Sequence, residues 1–316
     1  MNIRKILLPT DFSECANAAL DHALFLARQH SAELHLLHVV VLHDDDPFDP
    51  THHFPDSGEL FERLQRLAAG ELENLLTPRS TENLRIFEHQ RRAFSAAPAI
   101  IEAADELGVD LIVLGGHGRR GLRRFFLGSV AEEVVRTAEC PVLTLRQTVG
   151  ERGVRPFERL LAPIDFSTPA RQALGAARSL AEVYGAELHL LHVVEAPAVP
   201  PSFGPLYSAA AAGVAFGDLA REVEGNLRQL LEETKGPEVD SRLEVAEGIA
   251  APTITRYAEQ RDCDLIVIAT HGLTGLEHFL LGSVTEKVMR TAPCPVLVLK
   301  QENASDLMTA EAVLPA

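Results

Sequence analysis

The segment "GGHGRRGLRRFFLGS" at residues 115–129 carries the residue types that bind an anionic ligand. Gly115, Gly118 and Gly128 let the backbone approach a ligand closely, because glycine lacks a Cβ atom. Ser129 opens a predicted helix, and the unpaired first amides and the dipole of a helix attract negative charge. The segment is therefore a candidate phosphate-binding loop, and a tight turn without a ligand remains the alternative.

Two side-chain features of this segment also have structural alternatives. Arg119 and Arg120 can reach a bound phosphate, or they can belong to a solvated surface. Ser129 and Glu132 have the S-x-x-E spacing of a helix capping box, in which both side chains accept hydrogen bonds from backbone amides. The sequence leaves both alternatives open.

A second polar segment, "PTDFS" at residues 9–13, follows the first apolar run of the chain. Ligands of open α/β sheets bind beyond the carboxyl ends of the strands. If the first and fourth strands are neighbours, Asp11 faces the glycine segment across a crevice. The turn after the first strand does not carry the dinucleotide-binding fingerprint G-x-G-x-x-G.

Apolar runs alternate with helical patterns along the chain, and the runs are continuously apolar, as in "KILL", "LIVL" and "PVLTL". Parallel strands that are buried on both faces have this composition. The predicted fold is therefore α/β, with a doubly wound parallel sheet of five strands in each half. In the first half, strands are predicted at 3–8, 33–41, 84–88, 110–115 and 141–145, and helices at 14–29, 59–76, 96–107 and 129–138.

The chain repeats itself at an offset of 154 residues. The segment "AELHLLHVV" at 32–40 returns unchanged at 186–194, and the segment at 127–145 returns with five differences. Repetition of this length predicts two copies of one domain. The predicted divisions are a first domain at 1–148, a second domain at 149–300 and a C-terminal tail at 301–316.

Composition and charge argue against several classes of partner. The formal net charge of −16 disfavours nucleic acid, because phosphate backbones bind basic surfaces. The four cysteines form no CxxC pair. No apolar run approaches the roughly 20 residues that span a membrane, and no signal peptide is recognised. We therefore expect a cytoplasmic protein with no nucleic-acid or membrane partner.

Together these motifs resemble the universal stress protein family over nearly all of both copies. Nucleotide-binding members of that family carry G-x2-G-x9-G-[ST] after the fourth strand, and Gly115, Gly118, Gly128 and Ser129 fit that spacing. The resemblance implies a Rossmann-like sheet with the strand order 3-2-1-4-5, in which the first and fourth strands are neighbours. It also implies ATP in the crevice, and a magnesium ion can arrive with the nucleotide.

The resemblance implies residues that hold adenine, ribose and phosphates in the first copy, to which we add two arginines near the phosphates. These residues are Pro9, Thr10, Asp11, Val39, Gly115, Gly118, Arg119, Arg120, Gly128, Ser129 and Val130. The corresponding residues of the second copy are Pro163, Asp165, Val193, Ala269, Gly272, Gly282, Ser283 and Val284.

The second copy departs from the motif at its first position. Ala269 replaces the glycine there and is expected to add a Cβ atom where the backbone should approach the ligand. The loop that follows lacks arginine and carries Glu277 near the expected phosphates. We therefore expect the first copy to bind ATP well and the second to bind it weakly or not at all.

Two further segments and three histidines are interpreted as structural. The segment at 43–58 is rich in Asp and His, the segment at 196–218 consists mainly of small apolar residues, and both are expected to be loops. No dedicated metal site is expected, because hard cations need preorganised oxygen ligands. His38 and His192 are expected to be core histidines with a hydrogen-bond partner, and His117 to shape the glycine loop. No catalytic residue is assigned.

The predicted function is that of an ATP-binding tandem universal stress protein, a nucleotide-dependent sensor or switch in the stress response. Hydrolysis is expected to be slow or absent, because the sequence has no Walker lysine and no evident catalytic base. The alternative is a protein–protein interaction module with vestigial pockets, and an ATP-using enzyme is a third hypothesis. The two copies are expected to pair through their last strands as an internal pseudo-dimer. A homodimer of full chains and the identity of a protein partner stay open.

Overall fold

The computed structural model of the chain describes residues 2–41, 57–116, 128–146, 154–195, 205–270 and 281–300. These residues form two compact units that divide between Val154 and Arg155. We call them unit 1, which runs from Asn2 to Val154, and unit 2, which begins at Arg155.

Unit 1 is a parallel β-sheet whose strands alternate with helices along the chain. Its strands are β1 (Lys5–Pro9), β2 (Glu33–Val41), β3 (Arg85–Ala93), β4 (Leu111–Gly115) and β5 (Val142–Leu145). Its helices are α1 (Glu14–His30), α2 (Ser57–Leu76), α3 (Ala96–Leu107) and α4 (Ser129–Thr137). The sheet order is β3-β2-β1-β4-β5, so the predicted α/β fold and strand order are confirmed.

Unit 2 has the same architecture. Its strands are β6 (Arg159–Pro163), β7 (Glu187–Val194), β8 (Ser241–Glu247), β9 (Leu265–Ala269) and β10 (Val296–Leu299). Its helices are α5 (Thr168–Tyr184), α6 (Pro205–Glu233), α7 (Ala250–Gln260) and α8 (Ser283–Thr291). All strand pairs within the unit are parallel, in the order β10-β9-β6-β7-β8, which repeats the topology of unit 1.

The central strands are apolar throughout because both of their faces are covered. Ile6, Leu7 and Leu8 are consecutive residues of β1 and are all fully buried. Consecutive side chains of a strand point to opposite faces, so burial of all three requires protein on both sides of the sheet. This explains why continuous apolar runs predicted the central strands correctly.

Two sequence expectations are wrong at the periphery of the units. β3 extends to Ala93 instead of ending at residue 88, because it is an edge strand whose polar side chains are partly exposed and hide the strand pattern. Helix α6 begins at Pro205, inside the segment that was expected to be a loop up to residue 218. That stretch is rich in alanine, which has the highest intrinsic helix propensity.

An aspartate before β4 fixes the start of β1 in unit 1. Asp110 Oδ2 accepts hydrogen bonds from the backbone amides of Arg4 at 2.8 Å and Lys5 at 2.9 Å. Unit 2 repeats the arrangement with Asp264, whose Oδ2 accepts from the amides of Glu158 and Arg159, both at 3.0 Å. In each unit this carboxylate links the beginnings of two adjacent strands and therefore sets where their carboxyl ends lie.

Unit 2 has an additional buried anchor between two helices. Arg178 of α5 is only 7% exposed. Its guanidinium donates hydrogen bonds to four carbonyls at and after the end of α6, which belong to Leu231, Thr234, Gly236 and Pro237. Carbonyls at a helix C-terminus lack intrahelical donors, and Arg178 supplies donors to four of them from a buried position.

Replacing Arg178 with methionine should lower the free energy of unfolding of unit 2 by about 2–4 kcal/mol, because four carbonyls at and after the end of α6 lose a charged donor. Differential scanning calorimetry of the full chain measures the loss. Arg171→Met is the matched control, since Arg171 also lies on α5 and reaches Glu233 on α6 at 3.5 Å, but from an exposed position. That variant should cost less than about 0.5 kcal/mol. Equal losses would contradict the role given to Arg178.

Unit 1 contains a direct contact between two histidines on neighbouring strands. His35 Nδ1 of β2 lies 2.9 Å from His89 Nε2 of β3, so one nitrogen donates and the other accepts. His35 is 5% exposed, and burial lowers the pKa of both side chains. In unit 2 the corresponding histidine, His189, has a tyrosine as its partner, and the hydroxyl of Tyr257 lies 2.9 Å from His189 Nδ1.

Unit 1 should lose stability as the pH falls below about 6.5, the pKa of histidine in an unfolded chain. Between that value and the lowered pKa of His35 and His89, the unfolded chain binds more protons, so the free energy of unfolding decreases with decreasing pH. Calorimetry between about pH 7.5 and about pH 5 measures the slope. His89→Leu, which replaces the second histidine with an apolar side chain, should flatten it, and an unchanged slope would exclude the histidine pair as its source.

Candidate functional site

The carboxyl ends of β1 and β4 meet at one edge of unit 1. The strands pair in parallel, with Ile6 opposite Leu111. Asp11 follows the end of β1, and Gly115 is the last residue of β4. The sequence prediction that the first and fourth strands are neighbours is therefore confirmed, and the "PTDFS" turn and the beginning of the glycine segment lie at the same sheet edge.

The glycine segment returns to the point where it leaves β4. Gly116 N donates to Leu145 O at 2.7 Å, which continues the pairing of β4 with β5 by one residue. Gly128 N then donates to Gly116 O at 2.6 Å, and Glu132 N donates to Gly128 O at 2.9 Å as the first turn of α4. These bonds place the amino end of α4 directly beside the carboxyl end of β4.

The helix that follows the glycine segment begins one residue earlier than a capping box requires. Gly128 is the N-cap of α4 and has no side chain with which to cap the helix. Ser129 is therefore the first helical residue and not the cap, so the capping-box interpretation of Ser129 and Glu132 is wrong. Because Gly128 has no side-chain oxygen, it satisfies none of the first-turn amides of α4, and a helix start of this kind can bind an anion. Ser129 and Val130 are exposed.

The turn between β1 and α1 is held by short-range hydrogen bonds. Asp11 Oδ1 accepts from Ser13 N at 3.0 Å, and the Ser13 hydroxyl accepts from Ala16 N at 3.2 Å as the N-cap of α1. Thr10 is 6% exposed, and its hydroxyl accepts from Phe12 N at 3.1 Å. The turn is thus a defined structure that presents Asp11 at the edge of the sheet.

The histidines near the site partly agree with the sequence interpretation. His38 and His192 each have the expected partner, since their Nδ1 atoms lie 2.8 Å from Thr10 O and 2.7 Å from Ile164 O, but both side chains are only half-buried. The histidines that are core residues are His35 and His189, which the sequence interpretation did not single out. His35 and His189 lie in the same apolar runs, three residues before His38 and His192, so the sequence signal for a core histidine was present there too.

Gly115 is required by packing between a helix and a strand. A Cβ atom at this position would lie 2.8 Å from the carbonyl carbon of Cys15 and 2.9 Å from Ala16 N, which are backbone atoms of α1. The missing side chain therefore faces α1, whereas the sequence interpretation had placed the ligand there. Ala269 has the same register position in unit 2 and is 7% exposed, so its methyl group is covered by protein. The packing of α5 must accept this extra carbon.

Gly115→Ala should lower the free energy of unfolding of unit 1 by about 1–3 kcal/mol, because backbone atoms cannot move aside as a flexible side chain can. Thermal unfolding followed by calorimetry tests this. Gly70→Ala is the control, since no atom lies within 4 Å of the added carbon on the exposed face of α2. That substitution should stabilise by about 0.5–1 kcal/mol through helix propensity. A neutral Gly115→Ala variant would contradict the packing explanation.

Unit 2 repeats the site with a few changed side chains. Asp165 Oδ1 accepts from Ser167 N at 3.0 Å, and Gly282 N donates to Thr270 O at 2.8 Å. Gly282 is the N-cap of α8, again without a side-chain cap. Unit 2 has an additional hydrogen bond, in which Thr285 Oγ1 donates to Ala269 O at 2.7 Å where unit 1 has an alanine.

The remaining predicted site residues divide between those at the sheet edge and those outside the described residues. Pro9 and Pro163 end β1 and β6, Val39 and Val193 lie near the ends of β2 and β7, and Ser283 and Val284 begin α8. Outside the described residues lie Gly118, Arg119, Arg120, Gly272 and Glu277.

The described part of the chain offers little chemistry beyond this edge. Among its residues, no group of three or more His, Cys, Asp or Glu side chains could hold a metal ion. No helix in the described ranges is long and apolar enough to cross a membrane. Burial raises the pKa of the Cys263 thiol to about 12, so this cysteine stays protonated at neutral pH.

Comparison with known proteins gives one family for both units. The family model described as "Universal stress protein family" matches residues 2–146 and 156–300. A universal stress protein of Methanocaldococcus jannaschii is 34% identical over 151 residues, which cover 47% of this chain and 85% of that protein. One from Mycolicibacterium smegmatis is 27% identical over 311 residues, which cover 93% of this chain and 96% of that protein.

A solved structure shares the architecture over the whole length. The crystal structure of a universal stress protein from Archaeoglobus fulgidus aligns with 95% of this chain and 100% of its own, at a TM-score of 0.61 and 24% identity. At this identity the likeness concerns the fold.

Proposed function

Because the chain belongs to the universal stress protein family, we propose that unit 1 binds ATP at the edge formed by β1 and β4 and acts as a nucleotide-dependent switch in the stress response. Nucleotide binding would be read by a protein partner whose identity the chain does not reveal. The second unit would bind the same nucleotide more weakly.

One observation carries this proposal. The hydrogen bond from Gly128 N to Gly116 O brings a helix start with a glycine N-cap to the carboxyl end of β4, whose neighbour β1 leads into Asp11. An anion at that point would meet helix amides and the positive end of the helix dipole. A carboxylate nearby can accept hydrogen bonds from ribose hydroxyls. A nucleotide carries both groups in one molecule, so it fits the two features together.

The residues proposed to contact the ligand divide by the part of the nucleotide they would meet. The turn after β1 and the end of β2 would hold adenine and ribose, and the start of α4 would hold the phosphates. The set is Pro9, Thr10, Asp11, Val39, Gly115, Gly118, Arg119, Arg120, Gly128, Ser129 and Val130. Gly115 would contribute by letting α1 approach β4, as its contacts with Cys15 and Ala16 indicate.

The proposed weakness of the second site rests on charge. Both units have a glycine N-cap without a side-chain cap and an aspartate with the same hydrogen bond. The covered methyl group of Ala269 gives no reason for a difference. The sequence between Gly118 and Gly128 contains four arginines, whereas the corresponding part of unit 2 has none and includes Glu277. Fewer positive charges near the phosphates would weaken binding there.

Slow or absent hydrolysis is part of the proposal. The sequence has no Walker lysine and no evident catalytic base that could activate a water. The nucleotide would then serve as a bound signal. A magnesium ion could accompany it through the phosphates.

Asp11→Asn should weaken ATP binding to unit 1 by about 10- to 100-fold, because a hydrogen bond to a charged group is lost. Native mass spectrometry of the full chain with about 100 μM ATP and magnesium counts nucleotides per chain, and calorimetric titration gives the affinity. A universal stress protein similar to this chain has been solved in complex with cAMP, so cAMP is a second probe.

Asp105→Asn is the control for the Asp11 substitution, since it makes the same charge change at the end of α3, at the opposite edge of the sheet. Its affinity should equal that of the wild type. If the folded chain binds no nucleotide at all, the proposal is wrong. The glycine segment is then a structural turn, and the chain is better described as an interaction module.

A further inference from the structure

Strand β2 holds both backbone polar groups of Thr10, the residue that precedes Asp11. Thr10 N donates to Leu37 O at 2.8 Å, and Thr10 O lies 2.8 Å from His38 Nδ1. A carbonyl oxygen can only accept, so Nδ1 of His38 carries the proton and donates it. The peptide groups on both sides of Thr10 are thus fixed by two consecutive residues of β2.

Unit 2 keeps both bonds although the side chain between them differs. Ile164 N donates to Leu191 O at 2.8 Å, and His192 Nδ1 lies 2.7 Å from Ile164 O. Ile164 replaces the threonine of unit 1, so the hydroxyl is lost while the backbone geometry is retained. The histidine therefore serves the path of the backbone and does not depend on the side chain at that position.

The residue after each aspartate adopts a conformation that its side chain disfavours. Phe12 has φ = 63° and Phe166 has φ = 62°, in the left-handed region where glycine or asparagine is the usual residue. Their rings pack on the histidines, with centroids 4.6 Å apart for Phe12 and His38 and 4.9 Å apart for Phe166 and His192. Both copies therefore keep a strained phenylalanine that covers the histidine–carbonyl bond.

The two features enclose the aspartate from both sides. His38 fixes the carbonyl immediately before Asp11, and Phe12 sets the turn immediately after it, where Ser13 N donates to Asp11 Oδ1. One oxygen of the carboxylate is thereby bound to the turn, which restricts the rotation of the side chain. Strained backbone that recurs at the same place in two copies is typical of a functional site.

We infer that His38 and His192 are positioning residues, which orient the carboxylates of Asp11 and Asp165 toward a ligand by holding the backbone before them. The geometric part of the inference stands on the structure alone. The consequence for ligand affinity rests on the proposed function, in which these carboxylates bind the ribose of a nucleotide.

The geometric part is tested on the full chain without nucleotide, by amide hydrogen exchange measured with NMR. His38→Leu keeps apolar bulk and removes the donor, and it should accelerate exchange of the Ser13 amide about tenfold. Exchange of the Ser167 amide in unit 2 is the internal control and should not change. His38→Asn, whose amide nitrogen replaces Nδ1, should recover most of the protection. Equal exchange of Ser13 in the wild type and His38→Leu overturns the inference, whatever the nucleotide result.

The functional part is tested by titrating the same variants with ATP. His38→Leu should weaken binding at the first site about tenfold, and His38→Asn should recover most of it. His192→Leu should leave the first site unchanged. If exchange of Ser13 accelerates but wild-type protein binds no ATP, the positioning of Asp11 stands and the proposed function fails. If ATP binds wild type and His38→Leu equally, the link between positioning and ligand is overturned.

Discussion

The pairing of β1 with β4 in unit 1, and of β6 with β9 in unit 2, is the contact on which the site of each unit depends. A half-buried carboxylate begins it, since Asp110 in unit 1 and Asp264 in unit 2 each accept two amide hydrogen bonds from the start of the neighbouring strand. Strands that start together and run in parallel also end together. The turn that carries Asp11 and the segment that begins at Gly116 therefore emerge side by side, although about 100 residues separate them in the sequence.

The sequence predicted the central sheet well because burial on both faces leaves an unambiguous apolar signal. It predicted the helix and strand order for the same reason, and the 154-residue repeat gave the number of copies. The sequence did not predict features that depend on the partial exposure of a strand or on which residues are neighbours in space. The polar edge strand β3 was predicted too short, and the N-cap at Gly128 could not be distinguished from one at Ser129.

The role of Gly115 illustrates the limit of motif reasoning. Spacing alone shows that a glycine is present, and a phosphate-binding motif suggests that the ligand requires it. The direction of the absent side chain is a three-dimensional property, and here it is toward the backbone of α1. The same glycine thus supports the site indirectly, by letting the helix with the Asp11 turn at its start lie against the strand that leads to the glycine segment.

The bond between Gly128 N and Gly116 O has a consequence for how such a domain can diversify. It joins the two ends of the intervening segment at a single point, as does the bond between Gly282 N and Thr270 O in unit 2. Because this bond joins the strand before the segment to the helix after it, their relative position depends less on the residues between them. The two units accordingly keep the same strand and helix here although the sequences between these points differ.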